Sequence, residues 1–146
     1  IRAYGPTVHP GLAAADLADD RDARAYLSRA AILALLEAGR RDEAVQTFDT
    51  AWSEQTLQGF ASLDTANVAL AVGRDAQALW AFEDAQRTAP LTGLAAINAG
   101  YAAQRLGLPE WAANYFHLAL SNWPAEVDPE RRAEIEAFVQ QQIPNT

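Results

Sequence analysis

The chain repeats itself every 34 residues, and this period constrains its fold more than any other feature of the sequence. Gly39, Gly73 and Gly107 mark the period. Three further positions keep one residue type in all three copies: Ala44, Ala78 and Ala112; Phe48, Phe82 and Phe116; Ala51, Ala85 and Ala119. Such a period is typical of arrays in which each copy forms one small supersecondary unit and neighbouring copies bury each other.

The spacing within each copy predicts two helices joined at the glycine. Glycine adopts the left-handed conformation that often ends a helix, because it carries no Cβ. The alanine, phenylalanine and alanine that follow at intervals of five, four and three residues fall on one face of the next helix. Small and large side chains on that face allow two helices to approach closely and fill the space between them.

We therefore expect three helix pairs. The predicted helices lie at about residues 22–38 and 41–54, 61–72 and 75–88, and 92–106 and 109–122. Pro90 and Pro124 follow the second and third pairs at the same offset, where proline would end a helix. Thr56 holds that place in the first copy, so the sequence defines the first junction least sharply.

These repeated positions resemble the tetratricopeptide repeat family over roughly residues 25–124. The resemblance implies an all-α fold, a right-handed superhelical stack of about three helix-turn-helix units at 21–56, 59–90 and 93–124. It also implies that the first helix of each unit lines a concave groove that binds a peptide or a partner protein.

The segments on either side of the repeats differ from them. Residues 1–20 are expected to form an irregular leader with a short helix around 11–18. Residues 125–146 are expected to form a capping helix and tail, with Asp128 as N-cap and Pro129 at the first helical position. Its apolar stripe would cover the end of the stack; the stripe consists of Ile135, Phe138, Val139 and Ile143.

Composition excludes several classes of function. The 146 residues carry a net charge of −8 and contain no lysine, so the basic surface that nucleic acids require is missing. No apolar run approaches the ~20 residues that cross a bilayer, which argues against membrane insertion. The absence of cysteine excludes disulfides and thiolate metal sites. The absence of methionine indicates a segment of a larger protein.

The sequence contains no recognisable catalytic, cofactor or metal motif. His9 and His117 have no partner at ligand spacing, and neither a phosphate loop nor a nucleophile elbow is present. A run of aspartates lacks the residue order of a calcium-binding loop; it comprises Asp16, Asp19, Asp20 and Asp22. We therefore predict neither an enzyme nor a cofactor-binding protein.

Three glutamates have a structural explanation at this level. We expect them near the starts of second helices, where negative charge complements the helix dipole. They are Glu43, Glu83 and Glu110.

Counting back from each glycine gives the positions that the family resemblance assigns to the groove. The candidates are Tyr26, Arg29 and Leu33 in the first unit, Phe60, Asp64 and Asn67 in the second, and Leu94, Asn98, Tyr101 and Arg105 in the third. Amide, aromatic and guanidinium groups of this kind can hold an extended peptide through its backbone.

One subset of the family clamps the C-terminal carboxylate of chaperone (Hsp) tails with basic residues and asparagines at set positions. Leu33, Asp64 and Leu94 occupy three of those positions here, and Arg29 alone has the required character. A buried or half-buried Asp64 would repel a peptide carboxylate, so chaperone tails are disfavoured as partners.

An aromatic stretch, Gly107–Pro124, supports an alternative function. Trp111, Tyr115, His117 and Trp123 do not recur at the period, and exposed tryptophans can stack on sugar rings. The phrase AINAGYAAQRLGLPEWAANYFHLAL resembles the repeat region of bacterial outer-membrane exopolysaccharide-export and phage-adsorption proteins. This second resemblance implies a carbohydrate-associated module in the bacterial periplasm or cell envelope, with polysaccharide as the partner.

Overall fold

The described part of the chain is all-helical. A computed structural model describes residues 13–57, 62–123 and 127–143, with side chains at 23–57, 63–123 and 127–143. Within these ranges the helices are α1 Ala13–Glu37, α2 Arg41–Ser53, α3 Ser62–Ala71, α4 Asp75–Gln86, α5 Gly93–Arg105, α6 Pro109–Ser121 and α7 Pro129–Gln142. No strand occurs among the described residues, which confirms the all-α part of the predicted fold class.

The same turn joins the two helices of all three pairs. Gly39, Gly73 and Gly107 have φ values of 77°, 82° and 74°, in the left-handed region that favours glycine. The residue after each glycine donates its backbone N–H to the carbonyl five residues earlier, as in Arg40 to Leu35 at 2.8 Å. This bond and the one donated by the glycine itself form a Schellman motif, which satisfies carbonyls at the end of the first helix.

The repeated phenylalanines form the centre of each helix pair. Phe48, Phe82 and Phe116 are completely buried. The alanines at +5 are buried in every copy, and so are two of the three at +12, whereas Ala85 is half-buried. The packed face predicted for the second helices is therefore confirmed.

The N-terminal helix differs from its prediction. A short helix at 11–18 followed by a separate one from residue 22 was expected, but α1 runs without a break from Ala13 to Glu37. No glycine or proline lies between those ends, and alanine, leucine and arginine favour helix continuation. The leader before residue 13 lies outside the described residues.

The chain divides into two compact units, Ile1–Phe60 and Ala61–Thr146. Below, the first and second unit are these two parts, and the three repeats are called helix pairs or copies. In the first unit α1 packs on α2. In the second unit α3 packs on α4, α4 on α5, α5 on α6 and α6 on α7, while α3 also lies beside α5.

The last helix begins as the sequence predicts. The Asp128 carboxylate accepts a hydrogen bond from the backbone N–H of Glu130 at 3.0 Å, and Pro129 occupies the first turn. Val139 is buried and Ile135 half-buried, whereas Phe138 keeps much of its ring exposed.

Candidate functional site

The first unit presents an exposed face on α1 that contains three predicted groove residues. Tyr26, Arg29 and Leu33 are three and four residues apart, so they lie on one side of the helix. Tyr26 is 64 % exposed and Leu33 49 % exposed. Arg29 is partly exposed, and its Nη1 is buried without a hydrogen-bond partner among the described residues. This face combines apolar surface with one guanidinium group.

The second unit presents a corresponding face on α3 and α5. Asp64 and Asn67 are exposed on α3, Leu94 is 47 % exposed on α5, and Asn98 is partly exposed on the same helix. Because α3 lies beside α5, these side chains belong to the exposed surface of two adjacent helices. We call it the α3/α5 face. Phe60, the remaining candidate of the second copy, lies outside the described residues.

The exposure of Asp64 corrects one expectation. The sequence argument against chaperone tails assumed a buried or half-buried carboxylate, whereas Asp64 is exposed in the first turn of α3. Its repulsion of a peptide carboxylate is therefore weakened by solvent and salt.

Tyr101 is half-buried and packs against two other rings. Its ring lies edge to face with Phe116, at a centroid distance of 5.7 Å, and 6.2 Å from Phe138 of α7. Burial raises the pKa of the Tyr101 hydroxyl above its ordinary value. The structure thus places this predicted groove residue in contacts that join α5, α6 and α7.

Arg105 takes part in an ion pair between two helices. Its Nε lies 3.7 Å from Oδ1 of Asp75, at the start of α4. The Arg105 side chain is about half exposed, so its charge remains accessible to solvent while it links the end of α5 to the preceding helix pair.

A cavity of about 250 Å³ lies between α4 and α6, within the second unit. We call it the α4/α6 cavity. Its lining combines one carboxylate, two amides, two aromatic rings and one aliphatic side chain. The lining residues are Glu83, Gln86, Trp111, Asn114, Tyr115 and Leu118.

Two polar atoms of this lining are buried and unpaired. The hydroxyl of Tyr115, a residue only 4 % exposed, and Oε1 of Gln86 have no hydrogen-bond partner among the residues that the structure describes. Unpaired buried polar groups are uncommon in folded proteins because losing hydration without a new partner costs free energy.

Glu83 does not lie where the sequence argument placed it. It was expected near the start of a second helix, but it lies in the last turn of α4, which ends at Gln86. A carboxylate in the last turn opposes the helix dipole. Helix electrostatics therefore do not account for Glu83, in contrast to Glu43 and Glu110, which lie in first turns.

A larger and more open cavity of about 400 Å³ lies in the first unit, between α1 and α2. Its charged lining includes Glu43, which is already bound by Arg40 through two hydrogen bonds of 2.6 Å. The hydrogen bond from Arg40 lowers the pKa of Glu43. Glu43 is therefore already paired, while Glu54 is a second carboxylate of the same lining.

The described residues contain no group of three or more histidine, cysteine, aspartate or glutamate side chains that could hold a metal ion. His117 is exposed on α6, and His9 lies outside the described residues. The aspartate run from Asp16 to Asp22 lies within α1, but its side chains are also outside that set. In the described part of the chain, no helix is both long and apolar enough to cross a bilayer.

No family model, curated protein or solved structure matches this chain. The tetratricopeptide resemblance therefore rests on the 34-residue period, the repeated side chains and the common turn.

The sequence pointed to part of the α4/α6 cavity. Trp111 and Tyr115 stood out because they do not recur at the period. Glu83, Gln86, Asn114 and Leu118 were not predicted as site residues. Glu83 and Gln86 are three residues apart on α4, and Asn114 and Leu118 are four residues apart on α6, so each pair lies on one face of its helix. Which helix faces meet depends on tertiary packing.

Proposed function

We propose that the chain is a protein-interaction module that binds an extended peptide segment on the α3/α5 face. The observation that carries this proposal is the exposure of Leu94 on α5 beside α3, which carries the exposed amide Asn67. Asparagine both donates and accepts hydrogen bonds, so it can pair with a peptide backbone of any sequence. An exposed leucine can supply the apolar contact that backbone pairing lacks.

The charge of the molecule limits the partner. The chain carries a net charge of −8, Asp64 is exposed on the face, and Arg105 is paired with Asp75. A neutral or basic peptide therefore fits better than an acidic one, and chaperone tails with a terminal carboxylate remain disfavoured.

The finer fold belongs to the same proposal. A right-handed superhelical stack of tetratricopeptide type is supported by the period and by three left-handed glycine turns with the same hydrogen bonds.

The test begins with peptides selected from a random library on the whole chain. The double substitution Asn67→Ala and Asn98→Ala should weaken the selected peptide about tenfold or more, as expected when central interface residues are truncated. The matched control is Gln104→Ala with Gln140→Ala, which removes two exposed amides from α5 and α7. Equal binding by both double variants, with helicity unchanged, would move the site away from the α3/α5 face.

The carbohydrate alternative is supported by two tryptophans of the second unit. Trp80 is 48 % exposed and Trp111 46 % exposed. An origin in the bacterial cell envelope would accompany this function. Titration with oligosaccharides while tryptophan emission is followed tests it, since a ring stacked on a sugar changes its emission. An unchanged emission at saturating sugar would remove this alternative.

A further inference from the structure

We propose that the α4/α6 cavity binds the guanidinium group of an arginine side chain presented by a partner peptide. This site is lined by second helices and is independent of the α3/α5 face.

The lining selects the charge of the ligand. Glu83 is the one ionisable carboxylate in the cavity wall, and no lysine, arginine or histidine is among the lining residues. An anion would be repelled there, whereas a cation would gain a charge-assisted hydrogen bond to a half-buried carboxylate. The position of Glu83 against the dipole of α4 adds to the negative potential, because the carboxyl end of a helix is itself negative.

The unpaired atoms select a ligand with several donors. Gln86 Oε1 can accept a hydrogen bond, and so can the hydroxyl of Tyr115. Together with Glu83, these groups offer acceptors from both α4 and α6. A guanidinium carries five N–H donors fixed in one plane, so it can donate to several acceptors at once. An ammonium is a compact and strongly hydrated charge that matches such a spread of acceptors less well.

The aromatic wall favours the same group. Trp111 is 46 % exposed and is one of the residues that line the cavity. A guanidinium is planar and weakly hydrated, and it stacks on an indole face with a favourable cation–π contribution. The cavity volume of about 250 Å³ is below the ≈ 300 Å³ at which pockets for drug-sized ligands begin. It therefore suits one side chain.

The test uses the whole chain labelled with ¹⁵N, so that each tryptophan indole N–H gives a separate signal. The Trp111 signal is assigned by its loss in Trp111→Phe. The probes are acetyl-Gly-Arg-Gly-amide, the same peptide with citrulline, which has the arginine shape without the charge, and the same peptide with lysine. We expect the arginine peptide to shift the Trp111 signal saturably and the other two to bind at least about fivefold more weakly.

Two variants locate the site. Glu83→Gln keeps the side-chain size and removes the charge, and it should weaken the arginine peptide about tenfold. Glu110→Gln makes the same charge change on α6 outside the cavity lining and should have little effect. Tyr115→Phe keeps the buried ring, removes the hydroxyl and should weaken binding about fivefold.

Four outcomes would overturn the proposal. The first is that the citrulline or the lysine peptide binds as tightly as the arginine peptide, and the second is that Glu83→Gln and Glu110→Gln weaken the arginine peptide equally. The third is that a folded Tyr115→Phe protein binds the arginine peptide as tightly as the wild type does. The fourth is that maltotriose, followed by the Trp111 signal, binds more tightly than the arginine peptide. The last result would assign the cavity to carbohydrate instead. None of these measurements involves Asn67 or Asn98, so this proposal and the proposed function fail separately.

Discussion

Tyr101 and Phe116 lie edge to face, with ring centroids 5.7 Å apart and ring planes at 76°. This arrangement is favourable beyond the area that it buries, because the positive edge of one ring meets the negative face of another. Phe138 of α7 lies 6.2 Å from the same tyrosine. Tyr101 therefore joins the third helix pair to the last helix, and we expect its ring contacts to stabilise the fold.

The hydroxyl of Tyr101 should make stability depend on alkaline pH. Burial raises its pKa in the folded chain above the unfolded value of about 10. Its contribution is fully present below the unfolded pKa and is lost as pH rises through the folded pKa, because ionisation is easier in the unfolded chain. Tyr101→Phe keeps the ring contacts and should reduce this alkaline loss. Urea unfolding at several pH values between about 8 and 11 gives the free energy of unfolding as a function of pH. If this free energy falls equally steeply with pH in the wild type and in Tyr101→Phe, the prediction is contradicted.

A methyl group at Gly100 should be destabilising. A Cβ built there would lie 2.5 Å from Cε1 and 2.8 Å from Cδ1 of Phe116, a ring that is completely buried. Gly100→Ala should therefore lower the free energy of unfolding by about 1–3 kcal/mol, the usual cost of overpacking a core.

The control for Gly100→Ala comes from one period earlier. Ala66 occupies that position in α3 and is completely buried, so alanine is accommodated there. Ala66→Gly should cost about 1 kcal/mol from lost helix propensity, with a further loss from the deleted methyl. A stabilised Gly100→Ala protein would show that the Phe116 ring moves aside without cost.

Removal of the central phenylalanine should be the most damaging of these changes. Phe82 is completely buried, so Phe82→Ala should lower the free energy of unfolding by about 3–5 kcal/mol. Trp80→Ala, two residues earlier, removes a larger but 48 % exposed ring and should cost less than half as much. Chemical denaturation of both variants gives the comparison. A loss below about 1 kcal/mol for Phe82→Ala would contradict the burial of this ring.

The start of α7 should depend on its N-cap. Asp128→Ala removes the acceptor for the Glu130 N–H and should cost about 1 kcal/mol, with faster hydrogen exchange in the first turn of α7. Asp128→Asn retains an acceptor oxygen and should lose little. Equal losses in the two variants would mean that the charge near the helix dipole, rather than the hydrogen bond, stabilises this end.

Local features of this fold could be predicted from the sequence, because they depend on residues close together in the chain. Gly39 and its two repeats adopt the expected left-handed turn, and Phe82 is buried as its spacing indicates. The predicted break between the leader and the first helix was wrong, because α1 continues through the aspartate-rich run. Aspartate favours a helix less than alanine does, but its cost is smaller than that of glycine or proline, neither of which interrupts this segment.

The candidate site was less predictable, because it depends on which helix faces meet. Asn67 and Leu94 are exposed as a groove position requires, but Tyr101 also contacts α7, whose position a count from Gly107 does not give. The unpaired hydroxyl of Tyr115 could not be foreseen either. Burial of a polar atom follows from the neighbouring helices, and their arrangement is a property of the fold rather than of one segment.

The packing of each helix on the next in the second unit also has a kinetic consequence. Most of its helix contacts join elements that are neighbours in sequence, from α3 on α4 through α6 on α7. Contacts of this kind require only short loops to be closed, so such chains fold rapidly. We also expect them to open stepwise from an end. Helix α7, packed on α6, should exchange its amide hydrogens early, while α5, held between α4 and α6, should be among the last helices to open.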